Sequence, residues 1–315
     1  MTTHLRFALL ALTALCLPAL PHAQTHAAPL QHNEDIFGHP LPAQHHVRVF
    51  GQSIAYYDMG KAASADQPVL VLLHGYGSQA DVDFGPSLPM LAKHRRVIAL
   101  DQIGAGASDK PLIAYRVQTY VEFLAEFLRV TGIKRFDLAG ESLGGWVAAS
   151  YAAQASEQAS MLPKPEGLIL EDAAGFVLPP SGYSATMPVH LSVSTVGEVI
   201  AGLRSVFFDP TLVTPEVAKR RFITKLTAND GLVTSTFSSN PAVRNEAVGE
   251  KARGIALPTL IVWGAEDHTV PVAQAHSFAE AISGAKLVLI ERSGHVPSLE
   301  QPGKFVEAVE GFLSH

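Results

Sequence analysis

Leu138-Ala139-Gly140-Glu141-Ser142-Leu143-Gly144-Gly145 lies between an apolar, strand-like stretch and an alanine-rich, helix-like one. The arrangement is that of a tight strand-to-helix turn which lifts a serine oxygen above a parallel sheet. Gly140 and Gly144 have a steric purpose in such a turn, because side chains there would collide across it. A helix opening directly after Ser142 aims free N–H groups and the positive end of its dipole at the serine oxygen.

Outward from this turn the chain alternates between two periodicities. On the N-terminal side, residues 47–50 and 53–57 suggest a hairpin around Gly51. Val69–Leu73 is a continuous apolar run of the kind buried on both faces of a parallel sheet. A helix is expected near 86–94, a strand at Val97–Asp101, and a helix at 117–131 with Val121, Leu124, Ala125 and Leu128 on one face. Arg135–Ala139 leads into the turn and Ser142–Gln154 leads out. Strands follow at Gly167–Glu171, Leu257–Trp263 and Lys286–Ile290, with helices near 272–283 and 307–313. Strand–helix alternation of this kind implies an α/β fold with a mostly parallel sheet flanked by helices. The rhythm breaks between 175 and 251, where only helix signals occur. Thr214-Pro215-Glu216 is one helix start: an oxygen-bearing cap, Pro at the first turn, then an acid near the positive dipole end. This interval reads as a helical cap inserted into a core of 46–174 and 252–315.

The chain has 315 residues, 47% hydrophobic, and a formal net charge of −6. That composition is globular, and it lacks the basic patches that nucleic acid or anionic membrane surfaces attract. Residues 1–23 read as a secretory signal: Arg6, an apolar Phe7–Leu17, then a small-residue exit at Pro21-His22-Ala23. The apolar run is too short to span a bilayer comfortably. The expected location is periplasmic or secreted, with no stable membrane insertion after signal removal. Removal takes only Arg6, one positive charge from −6, and leaves −7. Cys16, the single cysteine, lies inside the signal behind Leu15, where a lipidation signal would carry a small residue. The mature chain is then without a thiol, and so without a disulfide, a thiolate metal site or a cysteine nucleophile. Seven of the fourteen histidines precede Val47. Without acidic or cysteine partners at fixed spacing, the segment 24–45 reads as a solvated leader arm rather than a metal site.

A serine hydroxyl reacts once a base takes its proton, and the base is held in the right tautomer by a carboxylate. Both partners belong at carboxyl ends of later strands, where open α/β sheets bind ligands. Asp267 follows the strand ending at Trp263, and His295 follows the strand ending at Ile290. Asp172, after the strand 167–171, is a second candidate for the acid. Glu266 is expected to point elsewhere, and His268 is too near Asp267 in sequence to serve as the base. For negative charge developing on a substrate oxygen, the backbone amides of Leu143 and Tyr76 are the expected donors. Gly75 and Gly77 let that loop approach a ligand, and His74 is expected to brace it.

On the order Ser142, Asp267, His295 and the glycine-framed serine, the chain resembles the α/β-hydrolase superfamily across residues 47–314. The stretch Asp101-Gln102-Ile103-Gly104-Ala105-Gly106-Ala107-Ser108-Asp109-Lys110-Pro111 is similar to one that many members carry; with its third glycine missing it is not a dinucleotide fingerprint. Gly140–Trp146 and Phe208–Thr214 resemble the meta-cleavage product hydrolases, which break a carbon–carbon bond. Three positions depart from that pattern: Glu141 stands where Asn is usual, Val296 where Trp is frequent, and Tyr76-Gly77-Ser78 where Gly-Pro-Gly is usual. Haloalkane dehalogenases and epoxide hydrolases share the outline but use Asp in place of Ser142. Cofactor-free haloperoxidases share the serine.

The resemblance and the residues together imply a serine hydrolase of a small, largely apolar carboxylic ester, with Ser142, Asp267 and His295 catalytic and no metal or cofactor. Met187, Leu191, Val196, Val199, Ile200, Leu203, Val206, Phe207 and Phe208 give the cap an apolar wall. Gly75, Phe207, Phe208 and Val296 are the expected substrate contacts, and short or medium acyl chains the expected preference. Arg204, Arg220 and Arg221 are expected on a solvated helix face. Carbon–carbon hydrolysis, or non-catalytic capture of a small ligand, are the alternatives. The oligomeric state is not encoded in any pattern of this chain.

Overall fold

The computed structural model describes residues 34–177 and 194–314. The signal expected at 1–23, and Met187 and Leu191, lie outside the described residues. Among the described residues an eight-stranded sheet runs in the order β1-β2-β4-β3-β5-β6-β7-β8. Its strands are β1 His45–Val49, β2 Gln52–Met59, β3 Val69–Leu73, β4 Val97–Leu100, β5 Phe136–Glu141, β6 Leu168–Glu171, β7 Thr259–Gly264 and β8 Lys286–Ile290. β1 and β2 form an antiparallel hairpin, and β2 joins β4 antiparallel. All other pairings are parallel. Phe50 and Gly51 both take positive φ, which matches the hairpin turn to the strand twist.

The helices are α1 Ala80–Asp83, α2 Leu88–Leu91, α3 Val117–Thr131, α4 Leu143–Ala155, α5 Val196–Val206, α6 Pro215–Ala228, α7 Gly231–Ser239, α8 Ala273–Ala281, α9 Pro297–Glu300 and α10 Pro302–Leu313. The helix expected near 86–94 is a single turn, α2, flanked by α1. Gly85 and Pro86 break the helix before it, and Pro89 is confined to its first turn. One face of the sheet packs on α3, α4 and α8, with Trp146, Phe127 and Phe278 fully buried. The other packs on α1, α2 and α10 through Phe84, Leu88 and Phe305. Among the described residues no helix is long and apolar enough to cross a membrane.

Between β6 and β7 the described chain holds α5, α6, α7 and short 3-10 turns, with no strand. Thr214 caps α6 by accepting from the Val217 amide, with Pro215 in the first turn. Thr195 closes a full capping box with Glu198 on α5. This helical interval meets the loops at the carboxyl ends of the strands: the Val206 carbonyl accepts from the His295 amide at 3.0 Å.

The second half of the leader arm differs from the solvated linker expected. Asp35, Ile36 and Leu41 are buried. Ile36 joins Val82, Phe207, Val296 and Leu299 in one apolar cluster. Asp35 accepts from the Phe37 and His39 amides, both at 2.9 Å, which folds the arm into a turn. Proline and histidine content made this stretch look solvated, yet two apolar side chains suffice to seat it.

Candidate active site

Ser142 stands between β5 and α4 with φ 50° and ψ −112°, a conformation that few side chains adopt. The turn is held from both sides, because the Ser142 amide donates to the Glu171 carbonyl at 2.9 Å. The glycines around it are sterically obligatory. A Cβ on Gly140 would sit 2.2 Å from the Gly144 backbone, and one on Gly144 would sit 2.0 Å from the Leu73 carbonyl oxygen.

Ser142, His295 and Asp267 come together from three separate loops. His295 Nε2 is 3.0 Å from Ser142 Oγ, and His295 Nδ1 is 2.8 Å from Asp267 Oδ2. All three are buried. The other oxygen of Asp267 accepts from the Thr269 and Val270 amides at 2.7 and 3.0 Å. A carboxylate can only accept, so Nδ1 carries the ring proton and Nε2 is free to accept from the serine. Burial alone would raise the Asp267 carboxyl; the facing His295 and its hydrogen bonds overcome this and hold it below the usual range.

The loop after β3 carries the second set of donors. Its Gly75 amide is taken by Asp83 Oδ2 at 2.8 Å, and Ser78 Oγ donates to Asp83 Oδ1 at 2.5 Å. The amides of Tyr76 and Leu143 donate to no protein acceptor among the described residues, so both are open to a ligand oxygen. His74 braces the loop: its Nδ1–H donates to the Gly75 carbonyl at 2.8 Å while Nε2 accepts the Gln102 amide at 3.0 Å. The Asp101–Pro111 stretch is also structural. Asp101 accepts from the Ala80 and Ala107 amides and from Gln44 Nε2, tying the loop to α1 and to the arm.

A cavity of about 100 Å³ opens beside Ser142 and His295. Val82, Val199, Leu203, Val206, Phe207 and Val296 form its apolar side. Its polar end holds Ser78, Asp83, Glu141, Arg221 and Lys225. Gly75, Phe207 and Val296 line the cavity, whereas Phe208 does not and is half-exposed. The backbone turns extended at Phe207, so neighbouring side chains point to opposite sides. The three cap arginines also separate. Arg204 is exposed, and Arg220 pairs with Glu34 of the arm. Arg221 lies in the cavity wall and donates to the Gly77 carbonyl at 2.8 Å. Lys225 reaches the same carbonyl and pairs with Asp230 at 2.5 Å. Burial, then the neighbouring Arg221, lowers the Lys225 ammonium to about 8.

Buried carboxyls ring the site. Glu141 Oε1 lies 3.4 Å from His295 Nε2. Burial, reinforced by Asp83 and Glu171, pushes the Glu141 carboxyl well above its ordinary range. Glu171 is raised to about 8 and Glu300 to about 7, again chiefly by burial. Asp83 and Glu141 were not anticipated as members of the site. The pair Asp81-x-Asp83 following a glycine-rich loop is the only local signal that pointed to the first.

Fold and site together define a hydrolase built on a serine elbow. Residues 68–302 match the family model of the alpha/beta hydrolase fold, and the chain belongs to that family. It is 31% identical over 261 residues to 2-hydroxy-6-oxo-2,4-heptadienoate hydrolase of Pseudomonas putida, covering 79% of this chain and 90% of the relative. It is 27% identical over 285 residues to Monoacylglycerol lipase abhd6-B of Xenopus laevis, covering 85% and 84%. Among solved structures it resembles a membrane phospholipase A described as a bacterial virulence factor, with TM-score 0.71, 28% identity and 86% of each chain covered.

Proposed function

We propose that the protein is a serine hydrolase that cleaves a carboxylic ester with a small, largely apolar acyl group through an acyl-enzyme. The observation that carries this reading is the unbroken line from Asp267 through His295 to Ser142 Oγ, with links of 2.8 and 3.0 Å, at the mouth of an apolar cavity. Ser142 Oγ attacks the acyl carbon while His295 Nε2 takes its proton. The Tyr76 and Leu143 amides hold the oxyanion, an effect worth about 10²–10³ in rate per donor in comparable sites. His295 returns the proton to the leaving alcohol. It then activates a water that releases the acid, with Asp267 holding its tautomer throughout. The small volume beside Ser142 favours short or medium acyl chains.

One observation favours a second reading. Arg221 is a cation in the cavity wall, and among the described residues no carboxylate lies within 4.0 Å of it. A substrate carboxylate would suit that position, as in carbon–carbon hydrolysis of a vinylogous diketone acid. A fluorophosphonate probe tests the reactive serine directly. Labelling of wild type and its loss in Ser142→Ala are expected, and an unlabelled wild type would mark a non-catalytic binding protein. Rates on nitrophenyl esters against ring-fission diketones then divide the two hydrolytic readings. We also propose a periplasmic or secreted location. Its test is N-terminal sequencing of recovered protein, with a start near residue 24 expected and an intact Met1 contradicting it.

A further inference from the structure

A second carboxyl stands beside Asp267. Asp172 follows β6 directly, is completely buried, and accepts the Gly264 amide of β7 at 3.0 and 3.3 Å through its two oxygens. One oxygen of Asp172, one of Asp267 and one ring nitrogen of His295 all lie within 4.8 Å of one another. Two carboxyls in contact and shielded from water do not both ionise; they titrate as a pair with one proton between them. Asp267, whose Oδ2 faces the His295 Nδ1–H at 2.8 Å, is the member placed to hold the charge, leaving the shared proton to Asp172. Burial first, then the facing Asp267, pushes Asp172 well above the usual carboxylate range, while Asp267 is held low by His295 and by a hydrogen bond from Asp172. Bracing of β6 against β7 would explain the Gly264 bond, and an Asn would serve there equally well. It does not explain why an acid is placed against the acid that holds His295.

We infer that Asp172 and Asp267 form a single-charge pair, in which Asp172 is a positioning residue for Asp267 and replaces it as the partner of His295 when Asp267 is removed. The inference rests on the reading of Ser142 as a nucleophile served by His295. The logic is one of charge. With both acids present, the charge sits on Asp267 because that oxygen faces the Nδ1–H. With Asp267 gone, the facing charge that opposes ionisation of Asp172 is removed, while a His295 ring nitrogen remains within 4.8 Å of its carboxyl. The other ionisable groups facing this assembly are Glu171, one residue back from Asp172, and Glu141, on the Nε2 side of the ring.

The experiment is a double-mutant cycle read as kcat on a nitrophenyl ester. Loss of a triad acid with no substitute costs roughly 10⁴-fold. Asp267→Ala is expected to lose only about 10²-fold, Asp172→Ala less than about tenfold, and the double variant the whole of roughly 10⁴. A double variant no worse than Asp267→Ala, or one whose loss equals the product of the singles, overturns the inference. Should the Asp267 variants fail to fold, the Asp172 variants decide alone. Asp172→Ala removes the donor that shares the Asp267 charge, so the acid limb of the rate profile moves to higher pH, and Asp172→Asn, which retains a donor, brings it back. An unmoved limb in Asp172→Ala overturns the inference. Fluorophosphonate labelling of Ser142 in the wild type separates the two failures: labelling with additive losses removes only the pair, whereas absent labelling removes the serine-hydrolase reading as well.

Discussion

Replacing Glu171 with Gln tests how burial has set the charges beneath the site. Glu171 Oε1 accepts the Ser298 amide at 2.6 Å, and its Oε2 has no partner among the described residues. Burial raises this carboxyl to about 8 in the folded protein against an ordinary value of 4.5. Between those values the native protein keeps a proton that the unfolded chain has released. Its contribution to stability is therefore fully present below about pH 4.5 and is lost as pH rises through about 8. At about 1.4 kcal/mol per pH unit, the whole window spans on the order of 3–5 kcal/mol. Gln cannot ionise and retains the oxygen that accepts from Ser298. Urea unfolding, followed through the buried Trp146 and Trp263, should give similar stabilities for both proteins at pH 4.5. At pH 8.5 Glu171→Gln should be the more stable by a few kcal/mol. Repulsion of the Glu171 charge by its neighbours Glu141, Asp172 and Glu300 is also absent from the variant and acts in the same direction at pH 8.5. A stability difference that does not change between the two pH values would refute the assignment.

Gly75→Ala places a Cβ 2.0 Å from Glu141 Oε2 and 3.2 Å from the Ser142 Cβ. Displacing the loop that carries the Tyr76 amide should lower kcat by about 10²-fold with KM little changed, measured on a nitrophenyl ester. Arg221→Gln should lower kcat/KM for acyl groups bearing a carboxylate by at least about tenfold more than for neutral ones, since a charge-assisted hydrogen bond contributes roughly 1.5–3 kcal/mol; equal losses on both would leave Arg221 without a substrate role. Ile36→Ala should cost about 2–5 kcal/mol in urea unfolding because Ile36 is buried in the cluster beneath Phe207.

The sheet and the serine turn were legible because their signals are local. Apolar runs such as Val69–Leu73 and Val97–Leu100 are buried on both faces, and the glycine spacing around Ser142 reflects contacts within a few residues. Asp267 and His295 were legible because each follows a recognisable strand. What escaped was set by long-range packing. Arg221 looks like its neighbour Arg220 in sequence, yet one enters the cavity and the other grips the arm, a difference of about 100° of helical rotation. Phe208 looked equivalent to Phe207 until the backbone turned extended between them. Asp83 and Glu141 acquire their roles from α1 and β5 meeting in space, which no spacing along the chain reveals.

The arm at residues 34–41 has a mechanical consequence. Its Ile36 sits in the same apolar cluster as Phe207 on one side and Val296 and Leu299 on the other, and Glu34 grips Arg220 of α6. It works as a latch across the seam between roof and floor. Parting the helical interval from the strand-end loops would require these arm contacts to break first, so removing residues 34–41 should make the two easier to separate.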